Sequence, residues 1–432
     1  MAAPLQMMTI ALIAFLPTFY ATEMGLGLAS VGLIFAGARA WDAVTDIAIG
    51  TLSDKTRTRF GRRLPWILAG LGPLVVAIYY LLMPAAGVGI GYLVFWIAVF
   101  YPFWTMIFIP HLSLNADLCT TYVERSRIAG YREAGTVIGV ILALGVPAFV
   151  LDRGASLQQI LEVIAWLSMI IFPLCTWLMF ATIKEPPAVR VETLALKNIL
   201  LIVRTNRPFQ RLMLGYFLSM VGIGVFVSVA FLLVSKTLLL GAAFLTLGVW
   251  QNSVALFTAP IWVRIANRFG KHRAYCFSML LIASGILILY LAPPNQYLVA
   301  LCAFVLMGFG NLGHFAMPSA LLSDTVDYFT WKSGDEQAGQ HVGLKSVVHK
   351  LSQTVSVGLG FVMLGLGGYQ ATGTNSPEAI DWLRNVAAIP TMVLFGLSIM
   401  VMWNYPLDER RQTIIRRRIG KRVDKHRELA AA

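Results

Sequence analysis

Charge is what this sequence has least of: Asp, Glu, Lys and Arg make up 13% of its 432 residues, against roughly 25% in an ordinary soluble domain. With 58% hydrophobic residues and a mean hydropathy of +0.72, the chain reads as a protein that crosses a membrane many times. Cysteine is nearly absent. The four present, Cys119, Cys175, Cys276 and Cys302, lie in or beside apolar segments without metal-ligand spacing, which argues against a disulfide framework and a zinc site. The six histidines form no metal-like grouping either. Since no nucleophile and base fall on one helix face, neither enzymatic activity nor a cofactor is expected. The first residues lack a basic n-region and the apolar run from Leu5 to Thr22 lacks a small-residue cleavage site, so this run is expected to be a spanning helix, not a removable signal.

The formal net charge is +13. In a soluble chain that excess would raise nucleic acid as a partner. Here the basic residues fall on alternate loops between apolar spans: Lys55 to Arg63, Arg125 to Arg132, Lys184 to Arg211, Arg264 to Arg273, Lys332 to Lys345 and the tail Arg410 to Arg427. This is the positive-inside pattern, which makes the bilayer the partner and nucleic acid not, and it puts both termini in the cytoplasm. The location expected is a bacterial inner membrane. Twelve spans are expected, centred near residues 13, 40, 73, 99, 142, 170, 221, 252, 282, 309, 356 and 394.

The longest connection contains Pro186-Pro187 and divides the spans into two sets of six. The expected organisation is an N-terminal bundle over 1–183, a cytoplasmic linker over 184–207, a C-terminal bundle over 208–406 and a basic tail over 407–432. An internal repeat supports the division. Phe60-Gly61-Arg62-Arg63 returns as Phe269-Gly270-Lys271-His272-Arg273 at an offset of 209, which also carries Trp41 onto Trp250. Parallel six-span halves of this kind resemble the major facilitator architecture, an all-α membrane fold of two pseudo-symmetric six-helix bundles with a substrate site between them. The repeat breaks at one place: the same offset carries Asp42 onto Gln251 and Asp46 onto Ala255.

Arg39, Asp42 and Asp46 of the second span are spaced three and four apart and share one helix face. A charge at mid-membrane costs at least ~2.5–3.5 kcal/mol, so such residues face a bundle interior or an aqueous path. Two carboxylates this close cannot both stay ionised in a low-dielectric site without a proton or a cation between them. The functional reading is a site for a coupling ion, sodium or a proton, with Thr45 and Thr105 adding neutral oxygens. The plainer reading is a structural ion pair with Arg39 or Lys350. Lys350 in span eleven either reaches the acid pair across the interface or snorkels to a surface. Asp54, Arg62 and Arg63, with Arg57, Glu124, Arg127, Arg132 and Glu133, read as a cytoplasmic charge network. It either clamps the outward-open state through Asp324 and Asp327 or does topology work alone. Trp104, Trp41, Tyr101, Phe108 and Phe315 offer flat faces to a solute or serve ordinary packing.

The run Arg39-Ala-Trp41-Asp42-Ala-Val-Thr45-Asp46 to Gly50, closed by Asp54 to Trp66, resembles the glycoside-pentoside-hexuronide:cation symporter family, the melibiose permease-like carriers. The resemblance extends over nearly the whole chain, through Pro110 to Leu118, Arg132, Asn206-Arg207-Pro208-Phe209, Asp324-Thr-Val-Asp327-Tyr328 and Lys350. It implies that Asp42, Asp46, Thr45 and Thr105 are cation ligands, that Lys350 lies near the cation and sugar sites, and that Arg132 lies at the sugar site. Two departures stand out. The family's sugar-holding acid of span four falls on Phe108, and its partner in span one falls near Met7, with Gln6 beside it.

The expected function is therefore secondary active symport of a small organic solute with sodium or a proton, by a monomer working through alternating access. A sugar or glycoside is the first cargo implied by the resemblance. An amphiphile such as a lysolipid is the second, motivated by Phe108 and Met7. A sensor without transport activity is a third reading.

Overall fold

The computed structural model describes residues 1–58, 60–117, 122–151, 155–183, 196–241, 243–334, 337–370, 375–415 and 417–419, and these are almost entirely helical. Twelve spanning elements follow one another: α1 (Ala2–Thr22), α2 (Leu28–Lys55), α3 (Leu64–Leu82), α4 (Ile90–Asp117), α5 (Tyr122–Val150), α6 (Leu157–Thr182), α7 (Arg207–Thr237), α8 (Ala243–Phe257, continued as Ala259–Phe269), α9 (Lys271–Leu291), α10 (Tyr297–Ser333), α11 (Ala338–Leu366) and α12 (Pro377–Trp403). Among the described residues, nine helices are apolar and long enough to cross a membrane on composition alone. The other three are α2, α5 and α8. In α2 the charged stripe lowers the hydropathy; α5 and α8 contribute the shorter apolar helices Ala134–Val150 and Ala243–Phe257.

Sequence punctuation sets the helix ends. Gly27 precedes α2 with φ +81°, and Gly270 separates α8 from α9 with φ +87°, a conformation that costs glycine least. Asn206 opens α7 by accepting the N–H of Phe209 at 3.2 Å, while its amide donates to the Thr325 carbonyl of α10 at 3.0 Å. Glu23, just after α1, accepts the N–H groups of Leu157 at 2.8 Å and Gln158 at 3.1 Å and so ties α1 to the start of α6. The expected linker also contains a short helix, Leu196–Thr205, and α7 begins directly after it.

The packing has internal two-fold logic. In the N-terminal half α1 packs on α5 and α6, α2 on α4, and α3 on α4 and α6; adding six to each number gives the pairs of the C-terminal half, α7 on α11 and α12, α8 on α10, and α9 on α10 and α12. The halves join through α2/α11, α5/α8 and α1/α7. Alternation of spans puts the start of α2 and the end of α11 away from the termini. There a methyl group on Gly32 would stand 2.8 Å from Phe361 Cβ, and Gly358 faces Ala36. Gly248 meets Leu144, and Phe15 sits edge-on to Phe231 and Phe244 at 6.0 Å. These close contacts bring the two halves together toward the end of the molecule opposite the termini.

Candidate cation and substrate site

The helical period that puts Arg39, Asp42 and Asp46 on one stripe turns that stripe toward α4 and α11. Asp42 is 2% exposed and Thr105 of α4 is fully buried. The Thr105 hydroxyl lies 3.1 Å from Asp46 Oδ1 and 3.4 Å from Asp42 Oδ1, and 3.3 Å from the Thr45 hydroxyl. Thr45 in turn donates to the Asp42 carbonyl at 2.9 Å. From α11 the Lys350 ammonium reaches across the interface, bonding Asp42 Oδ2 at 3.0 Å and pairing with Asp46 as well.

One cation thus stands between two carboxylates whose other oxygens meet Thr105. Four carboxylate oxygens and two hydroxyl oxygens, those of Thr45 and Thr105, converge on one region, which is the donor set a hard cation takes. Breaking a buried pair by removing one partner costs ~3–5 kcal/mol. Lys350 can therefore leave only if another positive charge takes its place.

Arg39 points its guanidinium over the face of Tyr101, 5.7 Å from the ring centroid. Trp41 is 43% exposed and donates to the Ala98 carbonyl at 3.1 Å. Trp104 is buried between Phe100 and Phe108, stacked on both at 5.6 and 6.0 Å, with Phe172 of α6 at its edge. Its ring is thereby committed to packing, while Phe108 ends the stack half-buried. Gln6 is half-buried on α1, and Met7 is fully buried, so Met7 offers no surface to a solute. Arg132 is half-buried on α5, and its carbonyl accepts from Thr136 at 3.1 Å.

Arg63, Asp324 and Asp327, read as parts of a gate, each have a partner in their own half or in the tail. Arg63 is buried and donates to Ser53 at 3.1 Å, and Arg62 is half-buried beside it. Asp324 is bonded through both oxygens by Lys271 at 2.7 Å, and Asp327 accepts from Gln412 of the tail at 2.6 Å. The side chains of Asp54, Glu124, Arg127 and Glu133 lie outside the described residues.

A second polar group went unseen in the sequence. Tyr216 of α7 has its hydroxyl 3.0 Å from His349 Nδ1 with the two rings stacked, and Lys345 stands 5.3 Å over the Tyr216 ring while donating to Ser319 of α10 at 2.6 Å. The four-residue spacing of Lys345 and His349 was the available signal. What it lacked was the identity of the facing helices.

The family model for MFS/sugar transport proteins matches residues 1–409. The chain belongs to this family. It is a membrane-spanning transporter of the major facilitator fold with a small-molecule substrate, and not an enzyme. Among curated relatives it is similar to the human sodium-dependent lysophosphatidylcholine symporter 1, at 26% identity over 91% of this chain and 79% of that protein. It is also similar to the glucuronide carrier protein homolog of Escherichia coli K12, at 24% identity over 92% of this chain and 88% of that protein. Two solved structures share the transporter's fold. A D-xylose-proton symporter superposes with a TM-score of 0.68 at 15% identity, over 94% of this chain and 96% of the other; a bacterial homolog of the lysosomal transporter Spinster gives 0.67 at 12%, over 97% and 96%.

Proposed function

We propose that this transporter carries a small organic solute into the cell together with sodium or a proton. The observation that carries the reading is the Lys350 ammonium placed between Asp42 and Asp46. The incoming cation displaces Lys350 and takes Asp42, Asp46, Thr45 and Thr105 as ligands; the freed lysine then signals occupancy across the interface between the halves. The sodium dependence in the name of the human relative favours sodium. We take the protein to be a monomer in a bacterial inner membrane with both termini cytoplasmic, a setting in which the close contacts opposite the termini correspond to a cytoplasm-facing state. We assign residues 1–183 and 208–406 to the two rocking bodies, 184–207 to the linker and 407–432 to the tail. We assign Asp54, Arg62 and Arg63 to a cytoplasmic clamp that holds the outward-open state through Asp324 and Asp327.

A glycoside is the first cargo, supported by the family's description and by the glucuronide carrier relative. An amphiphile is the second, favoured by the half-buried Phe108 ring that ends the aromatic stack of α4 and by the lysophosphatidylcholine relatives. A thermal-shift screen of purified protein against sugars and lysolipids, with and without sodium, tests the reading. Sodium-dependent stabilisation and sodium-driven uptake into proteoliposomes are expected, and flux indifferent to both sodium and protons would overturn it. Phe108→Asp separates the cargoes: it should improve or preserve glycoside binding and weaken lysolipid binding.

A further inference from the structure

Where α8 gives way to α9, the C-terminal half holds a cavity of about 820 Å³ on the side of the termini. Its walls come from the turn around Gly270, the end of α12 at Trp403 and the start of the tail. It shares no residue with the proposed cation site.

Four arginines line the cavity, Arg268, Arg273, Arg410 and Arg411, against two acids, Asp408 and Glu409. All four arginines are exposed, and among the described residues none of them makes an ion pair. Asp408 turns instead to the backbone, accepting the N–H of Arg411 at 2.8 Å where the tail becomes helical. Arg411 donates to the Pro406 carbonyl at 2.7 Å. Arg268 and Arg273 lie over the rings of Phe269 and Trp403, 5.3 and 5.7 Å from the centroids. A guanidinium stacked in this way keeps its N–H edges for an acceptor. Arginines that serve topology alone need neither a shared cavity nor such stacking.

The cavity also stands at the head of an apolar surface. Phe277 of α9 sits edge-on to Phe269 at 5.6 Å and to Trp403 at 6.1 Å, so three rings join α8, α9 and α12 beneath the arginines. Seven-residue steps carry the face of Arg273 along α9 to the exposed Leu280 and Leu287. On α12 the face of Trp403 continues through the exposed Met400 and Val393. The contact of Phe277 with Trp403 sets these two stripes side by side. A molecule that suits both parts has negative charge at one end and acyl chains at the other.

We propose that this cavity binds the headgroup of an anionic phospholipid from the leaflet on the side of the termini. Arg268 and Arg273 hold the phosphodiester, Arg410 and Arg411 approach it from the tail, and the chains run along α9 and α12. The lipid is a resident and not the cargo: every wall of the cavity belongs to the C-terminal half or its tail, so the rocking proposed above leaves the walls together.

Matched lipids test the site. Binding to the purified full-length protein in detergent is followed by native mass spectrometry and melting temperature, for dioleoyl phosphatidylglycerol, dioleoyl phosphatidylcholine and, as a soluble headgroup, glycerol 3-phosphate. Phosphatidylglycerol should bind about tenfold or more tighter than phosphatidylcholine, and glycerol 3-phosphate should not replace it. Arg268→Gln combined with Arg273→Gln should erase most of that preference. Arg410→Gln combined with Arg411→Gln, which alters the same cavity from the tail, should weaken it. Arg417→Gln with Arg418→Gln, exposed residues farther along the tail, should leave it intact. Equal binding of the two lipids, a preference unchanged in both cavity variants, or an equal loss in the Arg417 and Arg418 variant overturns the site. Stabilisation by glycerol 3-phosphate as strong as by phosphatidylglycerol overturns the lipid assignment in favour of a soluble phosphate.

Discussion

Helices α2 and α4 of the N-terminal half and α8 and α10 of the C-terminal half are counterparts in the packing, yet they fill their contact in opposite ways. Between α2 and α4 lie Asp42, Asp46, Thr45 and Thr105, with Trp41 bonding the α4 backbone. Between α8 and α10 the backbones close on each other: a methyl on Gly308 would stand 2.2 Å from the Gln251 carbonyl oxygen, and one on Gly313 2.7 Å from the Trp262 ring. Gln251 is the residue that the internal repeat sets against Asp42. A carboxylate needs room for its oxygens and for whatever neutralises them. The glycine-lined contact has no such room and gains close packing instead. The fold is repeated, and one half keeps room for two carboxylates where the other packs backbone on backbone.

The largest effect that sharpens this contrast is expected from Asp46→Asn. Sodium- or proton-driven accumulation in proteoliposomes should fall by at least ~100-fold while membrane insertion stays near normal, because a charge costly in the bilayer is removed. Asp42→Asn should behave similarly. Wild-type accumulation in either would erase the functional difference between the halves.

Next in size is Lys350→Ala. It leaves two facing carboxylates without their shared cation, so the sodium-free protein should lose ~3–5 kcal/mol. Sodium should then restore stability with higher apparent affinity than in the wild type, as read by melting temperature against sodium concentration. A variant as stable as the wild type without sodium would mean that Lys350 is not the resident counter-ion.

A smaller loss is expected on the dry side. Gly308→Ala should destabilise by ~1–3 kcal/mol through overpacking, with the sodium-dependent shift retained, since α8 and α10 hold no ligand of the proposed site. Loss of the shift there would break the comparison. Of similar size is the effect of Thr105→Val, which removes one hydrogen bond to a charged group, about 1.5–3 kcal/mol. The sodium midpoint should rise by roughly tenfold or more and return toward the wild-type value in Thr105→Ser.

Several features were legible before the structure: the twelve spans, the repeat around Gly61 and Gly270, and the stripe of Arg39, Asp42 and Asp46. Others were not. Lys350 stood between an inward and a snorkelled position, and in the structure it lies between the two aspartates. Trp104 stood between a face offered to a solute and ordinary packing, and in the structure its ring packs on Phe100, Phe108 and Phe172. Lys345 and His349 carried a readable spacing but no partner, and Tyr216 and Ser319 drew no attention at all.

The division follows from what a period can encode. Along one helix, 3.6 residues per turn assigns each side chain a face, and the cost of charge in lipid tells which face must turn inward. Those two facts determined the buried stripe, while the length of the apolar runs gave the number of spans and the 209-residue repeat its asymmetry between the halves. Which groups meet across helices depends on approach and rotation, and these are set by side-chain shape at distant contacts such as Gly32 on Phe361 and Gly308 on Gln251. Only the tertiary structure decided that Lys350, 308 residues beyond Asp42, stands where a cation is proposed to bind, and that Lys345, His349 and Tyr216 gather beside it.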